Sequence, residues 1–211
     1  MVDNFCDFLT NKIKCKMPDV DEERAEIINY GLKLIVGELP KGLAILILAW
    51  LLNVFKETLL ALLFILPYRS VSGGVHLKTH IGCFIATFIS YVGNAFLSKN
   101  LILPVGIKLI FIILTWIFSM FMIKLYAPAD TEAVPILRKK ERKIKKVLSY
   151  IIMTINLVIA AVWKNNIYSN LIIFGTIIQT ITITRLMYKI TKNKYGYEEY
   201  LKQESLKISS T

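Results

Sequence analysis

The chain has 211 residues, of which 55% are hydrophobic, and a formal net charge of +11; its mean hydropathy is +0.55. This apolar content exceeds what a soluble domain of this length can bury, so it excludes an ordinary soluble enzyme and indicates a membrane protein. The basic residues lie in short clusters between apolar runs, a distribution that indicates membrane topology and not nucleic-acid binding. The three cysteines have no metal-like spacing, and neither a metal nor another cofactor is expected.

The first part of the chain predicts two helices separated by Pro18. Residues 3–16 carry apolar side chains at helical spacing and close on lysines, which is typical of an amphipathic helix at a membrane interface, within the segment 1–17. The acidic residues after Pro18 favour a new helix start, and this helix is predicted over 22–37. It is only weakly hydrophobic, but we expect it to be the first membrane crossing.

Five further apolar segments are long enough to cross a hydrocarbon core of roughly 30 Å. They are predicted at 42–66, 80–97, 101–125, 147–163 and 167–187. The tail 188–211 is polar and basic. The predicted fold class is therefore all-α: a polytopic integral membrane protein with about six transmembrane helices and an N-terminal interfacial helix, in a single domain spanning 1–211.

The segment 138–146 fixes the predicted orientation because seven of its nine residues are basic, and such clusters stay on the cytoplasmic side. Counting crossings from it places the other connections. The predicted inner loops are 67–79 and 126–146, and the predicted outer loops are 38–41, 98–100 and 164–166. We therefore expect a multi-pass protein of the cell membrane with both termini in the cytoplasm.

A polar segment at 67–83 interrupts the apolar pattern and contains both histidines of the chain, His76 and His80. It ends at Cys83. Thr79 can cap the following helix, which puts Cys83 in or near the first turn, where the helix N-terminus favours a thiolate. The segment therefore has the groups that a cysteine hydrolase or acyl transferase needs, on the predicted cytoplasmic side.

The choice of a histidine partner for Cys83 depends on the backbone. In a continuous helix His76 would share a face with Cys83, but a rise of roughly 10.5 Å would separate their Cα atoms, beyond hydrogen-bond reach. Gly73 and Gly74 can supply a bend before His76 because glycine tolerates conformations that other residues avoid. His80 is within reach on the helix itself, so local geometry alone favours His80.

The segment resembles the signature of the AgrB family, the membrane endopeptidases of peptide quorum sensing. The matching pattern is Arg69-x3-Gly73-Gly74-x-His76-x6-Cys83, followed by an apolar span. The segment 126–136, which contains Pro128-Ala129-Asp130, is also similar to that family, and the order of spans and the length match over essentially the whole chain. The resemblance implies a Cys-His endopeptidase with Cys83 as nucleophile and His76 as general base and acid. His80 lies outside the family pattern.

The resemblance also implies a substrate: a short amphipathic propeptide whose acidic C-terminal region is removed at the cytoplasmic face. Cys83 would hold the remaining peptide as a thioester until a cysteine of that peptide closes a thiolactone ring, or a serine a lactone. The expected partners are this propeptide and the lipid bilayer. A homodimer is compatible with the family, although no residue pattern indicates one.

Further candidate residues of the site have two possible roles each. Arg69 and Lys78 could hold the acidic part of a substrate or anchor the ends of the spans. The oxyanion of the reaction could be bound by backbone N–H groups around Cys83 or by those of Gly73 and Gly74. Asp130 is a candidate to orient His76 or to contact the substrate, and Glu57 is a second candidate to orient His76.

Two other functions are compatible with the sequence. Lys56 and Glu57 lie inside a predicted span, and intramembrane charges can line the path of a transporter. A metal bound by His76, His80 and Cys83 is the second alternative, because His-x3-His places two imidazoles on one helical face.

A polar stripe on the last span predicts hydrogen bonds between helices rather than contacts to a substrate. It consists of Thr176, Gln179, Thr180 and Thr184.

Overall fold

The computed structural model describes residues 2–17, 21–77, 79–101, 103–132 and 135–209. Within these ranges the regular secondary structure is helical, and an isolated parallel bridge pairs Gly73 with Ala129. The predicted all-α fold class is therefore confirmed. The chain divides into two compact units, Met1–Asn53 and Val54–Thr211.

The first unit contains two helices, α1 (Val2–Lys16) and α2 (Glu22–Leu51). The side chain of Asp21 caps α2 by accepting the Arg24 N–H at 2.8 Å. A salt bridge of 2.6 Å between Lys14 and Glu22 joins the two helices. The helix predicted over 3–16 is thus confirmed, and its position at a membrane interface stays a prediction.

The boundaries predicted around α2 were wrong. The sequence predicted a loop at 38–41 and a helix over 42–66, whereas α2 continues through Pro40 to Leu51. The chain breaks instead at Asn53, whose φ of 56° is left-handed, and α3 begins at Phe55. Glycine and proline are weaker helix breakers in apolar helices, whereas Asn adopts the left-handed conformation more readily than most residues.

The second unit is built from eight helices in its described residues. They are α3 (Phe55–Ser72), α4 (His80–Phe88), α5 (Asn94–Asn100), α6 (Val105–Tyr126), α7 (Lys139–Val162), α8 (Asn166–Thr182), α9 (Arg185–Ile190) and α10 (Gly196–Ser209). A single π-helical turn at Ile89–Gly93 joins α4 to α5, so these two helices form one continuous rod.

Three helices among the described residues are long and apolar enough to cross a membrane: Ile81–Asn100, Val105–Tyr126 and Lys139–Val162. Two predicted boundaries need correction here. Most of the basic segment 138–146 is not part of a loop: residues 139–146 form the first turns of α7, and Arg138 is the cap residue before them. The last predicted span, 167–187, ends earlier, because α8 stops at Thr182 and Thr184 caps the separate helix α9.

Helix α8 lies at the centre of the second unit and contacts α3, α5, α6 and α7. The hydroxyl of Thr180 hydrogen-bonds the Tyr68 hydroxyl of α3 at 3.0 Å and the Ser119 hydroxyl of α6 at 2.9 Å. Such bonds satisfy polar groups that would otherwise be buried at a cost. The prediction that the polar stripe joins helices is confirmed for Thr180, whereas Thr176 bonds within its own helix.

The break at Asn53 gives a stability prediction. We expect Asn53→Val to lower the free energy of unfolding by about 1–2 kcal/mol more than Asn53→Gly does, because both variants lose the Asn side chain but only the β-branched residue disfavours a left-handed φ. Thermal unfolding of the purified variants in one detergent measures both. Equal losses for the two variants would contradict the assignment of this break to the backbone conformation of Asn53.

Candidate active site

The centre of the site is a turn formed by Gly73 and Gly74 directly after α3. Their φ angles are 73° and 140°, in the region that favours glycine. A Cβ on Gly73 would overlap the backbone of Ala129, and a Cβ on Gly74 would lie 2.6 Å from the Thr182 hydroxyl oxygen. Both positions therefore need glycine for two reasons, the backbone conformation and the close approach of neighbouring segments.

Backbone hydrogen bonds attach this turn to two distant parts of the chain. The Ala129 N–H donates to the Ser72 carbonyl at 2.8 Å, and the Gly74 N–H donates to the Ala129 carbonyl at 2.9 Å. On the other side, the Val75 N–H donates to the Thr182 carbonyl at 3.1 Å. The turn is thus held between the segment after α6 and the end of α8.

Arg69 and Gln179 brace the same turn with their side chains. The Arg69 guanidinium donates to the Val75 carbonyl at 3.0 Å and to Gln179 Oε1 at 3.3 Å. Gln179 Nε2 in turn donates to the Gly73 carbonyl at 2.7 Å and to Ser72 Oγ at 3.0 Å. Gln179 is only 1% exposed, so both ends of its amide are used in linking α8 to the turn.

His76 follows the turn in a non-helical segment and is exposed. Its carbonyl accepts a hydrogen bond of 2.7 Å from Asn193 Nδ2. Because α3 ends at Ser72 and α4 begins at His80, the chain is not one helix from Val75 to Cys83. The bend that His76 requires to act with Cys83 is therefore present.

Cys83 lies in the first turn of α4, as the sequence predicted. Thr79 caps this helix, with its hydroxyl oxygen accepting the Gly82 N–H at 3.1 Å, and the Cys83 N–H donates to the Thr79 carbonyl at 2.9 Å. Cys83 is a half-buried free thiol. The nucleophile candidate is consequently fixed to a capped helix start, and His76 is fixed to the glycine turn.

The N–H groups of the glycine turn already have acceptors. Gly73 donates to the Arg69 carbonyl at 2.9 Å, and Gly74 donates to Ala129. In this conformation neither amide is available to bind an oxyanion. At the start of α4 the Gly82 and Cys83 N–H groups also have an acceptor, in Thr79. The N–H groups of His80 and Ile81 remain the candidates, because the first N–H groups of a helix lack intrahelical acceptors.

Asp130 lies beside Ala129, with its side chain fully buried. Its Oδ2 atom accepts from Arg142 Nη1 at 2.9 Å, from the Ile136 N–H at 2.9 Å and from the Tyr197 N–H at 3.1 Å. These three donors fix the loop between α6 and α7. Through these contacts Asp130 stabilises the loop, and its role toward His76 or a substrate stays a prediction.

The remaining candidate residues lie away from the glycine turn or outside the part of the chain that the structure describes. Lys78 is not among the described residues, nor is the side chain of His80. Lys56 is exposed on α3 and lies at the edge of an apolar groove of about 790 Å³, while Glu57 is half-buried in the first turn. The described part of the chain holds no cluster of three metal-binding side chains.

Sequence reasoning missed two residues that support the turn. Gln179 was recognised only as a member of the interhelical stripe, and Asn193 carried no signal at all. The contact from Asn193 to His76 joins positions 117 residues apart, and a single Asn in a polar tail is not a recognisable pattern.

The chain is similar in sequence to proteins of one known family. A family model described as AgrB, accessory gene regulator B, matches residues 6–183. The chain is 29% identical to AgrB-like protein 2 of Clostridium perfringens strain 13, over 87% of this chain and 92% of that protein. It is 28% identical to the accessory gene regulator protein B of Staphylococcus intermedius, over 74% of this chain and 80% of that protein. No solved structure matches the chain.

The glycine turn predicts a strong effect of a single methyl group. Gly74→Ala combines a strained φ with a contact to Thr182, and we expect it to lower the free energy of unfolding by about 1–3 kcal/mol. Gly106→Ala is the matched control, because a Cβ at that helical position meets nothing within 4 Å. Thermal unfolding in detergent measures both, and equal stabilities would contradict the proposed need for glycine at position 74.

The brace from α8 can be tested in the same way. Gln179→Leu removes the amide donor to the Ser72 hydroxyl and the Gly73 carbonyl and the acceptor of Arg69 Nη1. We therefore expect a loss of about 1–3 kcal/mol in the free energy of unfolding. Gln203→Leu, at an exposed position of α10, is the control. If Gln179→Leu unfolds at the same temperature as the control, the brace does not stabilise the turn.

Proposed function

Because the chain belongs to the accessory gene regulator B family, a membrane family with a role in accessory gene regulation, we propose that it is a membrane cysteine endopeptidase. Its proposed substrate is a short quorum-sensing propeptide, which it cuts to prepare a cyclic signal peptide. The observation that carries the proposal is the break between α3 and α4. Because of this break, His76 lies outside any helix, directly after the glycine turn, and Cys83 lies in the first turn of the capped helix α4. A nucleophile and a base on two independently fixed elements match the needs of a Cys-His pair.

In the proposed first step, His76 takes the proton of the Cys83 thiol, and the thiolate attacks the carbonyl carbon of the scissile peptide bond. The oxyanion that forms is bound by amides at the start of α4. The C–N bond then breaks, and His76 gives its proton to the leaving amine. The C-terminal fragment departs, and the N-terminal fragment stays on Cys83 as a thioester.

The second step exchanges one thioester for another. A cysteine thiol of the bound peptide gives its proton to His76 and attacks the thioester carbonyl, so that a new C–S bond closes a thiolactone ring. The bond to Cys83 breaks, and the proton returns to its sulfur. A serine of the peptide would give a lactone by the same route. Exclusion of water from the site favours ring closure over hydrolysis.

The proposed topology has six crossings, with both termini and the active site in the cytoplasm. Support comes from the basic first turns of α7, since clustered lysines and arginines stay on the inner side. In this arrangement α2, α3 and α8 cross the membrane together with the three spans Ile81–Asn100, Val105–Tyr126 and Lys139–Val162. Reaction with a membrane-impermeant thiol reagent from each side, read at Cys15 and Cys83, tests the orientation.

The cytoplasmic side also offers a site for the acidic region of the propeptide. A cavity of about 350 Å³ lies beside Tyr126 and Pro128 and is lined by three basic side chains, Arg142, Lys143 and Lys146, and by one acidic side chain, Glu198, which forms a salt bridge with Arg185. Arg142 is already paired with Asp130, so Lys143, which is exposed, is the side chain best placed to meet carboxylates. The cavity borders the segment that bonds the glycine turn.

The decisive experiment uses the full chain reconstituted in lipid vesicles with a synthetic propeptide taken from a gene next to its own. We expect Cys83→Ala to abolish cleavage and His76→Ala to slow it by about 10²–10⁴-fold, the usual contribution of a general base. Mass spectrometry of the wild-type protein should detect the N-terminal fragment on Cys83, and hydroxylamine should release it as expected for a thioester.

Two variants serve as controls. Cys15→Ala removes an exposed thiol outside the site and should leave cleavage unchanged, and His80→Ala should largely spare it. Cleavage that survives in Cys83→Ala would overturn the nucleophile. Normal cleavage in His76→Ala together with its loss in His80→Ala would transfer the role of base to His80.

A further inference from the structure

The segment after α8 folds back onto the catalytic turn. Residues 185–197, called the C-terminal clamp below, comprise α9, the connection to α10 and the first two residues of α10. Asn193 lies in this connection, and its Nδ2 atom donates to the His76 carbonyl at 2.7 Å. The clamp begins after residue 183, where the match to the family model ends.

The clamp holds Asn193 in a defined position by several local contacts. The Asn193 N–H donates to the Tyr188 carbonyl at 2.9 Å, and its side-chain amide also donates to the Thr191 hydroxyl at 2.9 Å. The rings of Tyr188 and Tyr195 stack with centroids 4.0 Å apart and planes 2° from parallel. The Tyr195 hydroxyl donates to the Ile183 carbonyl at 2.9 Å, which ties the clamp to the end of α8.

The clamp also contacts the other segment that supports the glycine turn. The Tyr188 hydroxyl donates to the Asp130 carbonyl at 2.9 Å, and burial raises the pKa of Tyr188 above its ordinary value, so the phenol keeps the proton that it donates. The Tyr197 N–H reaches Asp130 Oδ2 at 3.1 Å. Since Asp130 adjoins Ala129, the clamp is connected to the glycine turn through the loop as well as through His76.

We propose that Asn193 is a positioning residue that fixes the backbone of His76 from outside the family-matched region. The inference rests on the proposed function, because it assigns Asn193 to the alignment of the general base with Cys83. The glycine turn fixes the chain on the N-terminal side of His76, through Gly74 and Val75, and Asn193 fixes the carbonyl of His76 itself. Without that hydrogen bond the His76 imidazole samples more positions, and in a smaller fraction of them it can exchange a proton with Cys83.

The test compares Asn193→Ala and the nearly isosteric Asn193→Asp with Asn100→Ala. Asn100 makes the same kind of bond, from Nδ2 to the Phe96 carbonyl at 2.8 Å, at an exposed position of α5. We expect both Asn193 variants to lower kcat for cleavage of the synthetic propeptide by about three- to tenfold, the range of one lost hydrogen bond. KM and the unfolding temperature should stay close to those of the Asn100→Ala control.

Hydrogen exchange supplies a readout that does not need peptide cleavage. In the Asn193 variants we expect faster exchange of the backbone amides in 74–77, measured on the full chain in detergent, and unchanged exchange in the Asn100→Ala control. Unchanged exchange and unchanged kcat would overturn the role of Asn193 and leave the proposed function intact. A wild-type protein that does not cut the propeptide would overturn the proposed function, while the exchange data would still test the contact.

The same measurements distinguish a positioning role of Asn193 from a purely stabilising one. If the Asn193 variants lose activity only in proportion to a lower unfolding temperature, with KM and kcat both changed, Asn193 stabilises the fold and does not position His76. A fall in kcat at constant stability in both variants supports the proposal.

Discussion

Two backbone hydrogen bonds, from Gly74 to Ala129 and from Val75 to Thr182, are the constraint on which the candidate site depends. They form only because the turn lies very close to Ala129 and Thr182, closer than a Cβ at either glycine would allow. Because each bond joins parts of the chain that are far apart in sequence, they fix α3, the loop after α6 and the end of α8 at one point. His76 directly follows Val75, so these contacts determine where the His76 backbone lies relative to Cys83.

The polar side chains inside the second unit have a common physical origin. A buried amide or guanidinium lowers stability unless its hydrogen bonds are satisfied. Arg69 Nη1 donates to Gln179 Oε1, while the remaining nitrogens of the two side chains, Arg69 Nη2 and Gln179 Nε2, donate to the carbonyls of Val75 and Gly73. An irregular turn inside a helical membrane protein needs such partners, since its backbone groups have left the helix and apolar side chains cannot replace the lost bonds.

Hydropathy located the apolar helices of the chain but misplaced several of their ends. It averages over a window, so it joined 42–66 into one helix and could not register the left-handed Asn53. It also assigned Pro40 to a loop, although an apolar helix continues through it. The cap at Thr79 was predictable, because a hydroxyl that accepts an N–H three residues later is a local interaction encoded within one turn.

The sequence by itself determined that this is a helical membrane protein, that a glycine pair precedes His76, and that Cys83 lies at the start of a capped helix. These are local properties, set by composition and by the backbone preferences of neighbouring residues. Only the tertiary structure decided what holds the glycine pair and His76 in place. Gln179 reaches Gly73 across 106 positions and Asn193 reaches His76 across 117, and contacts at that separation exist only after the helices have packed.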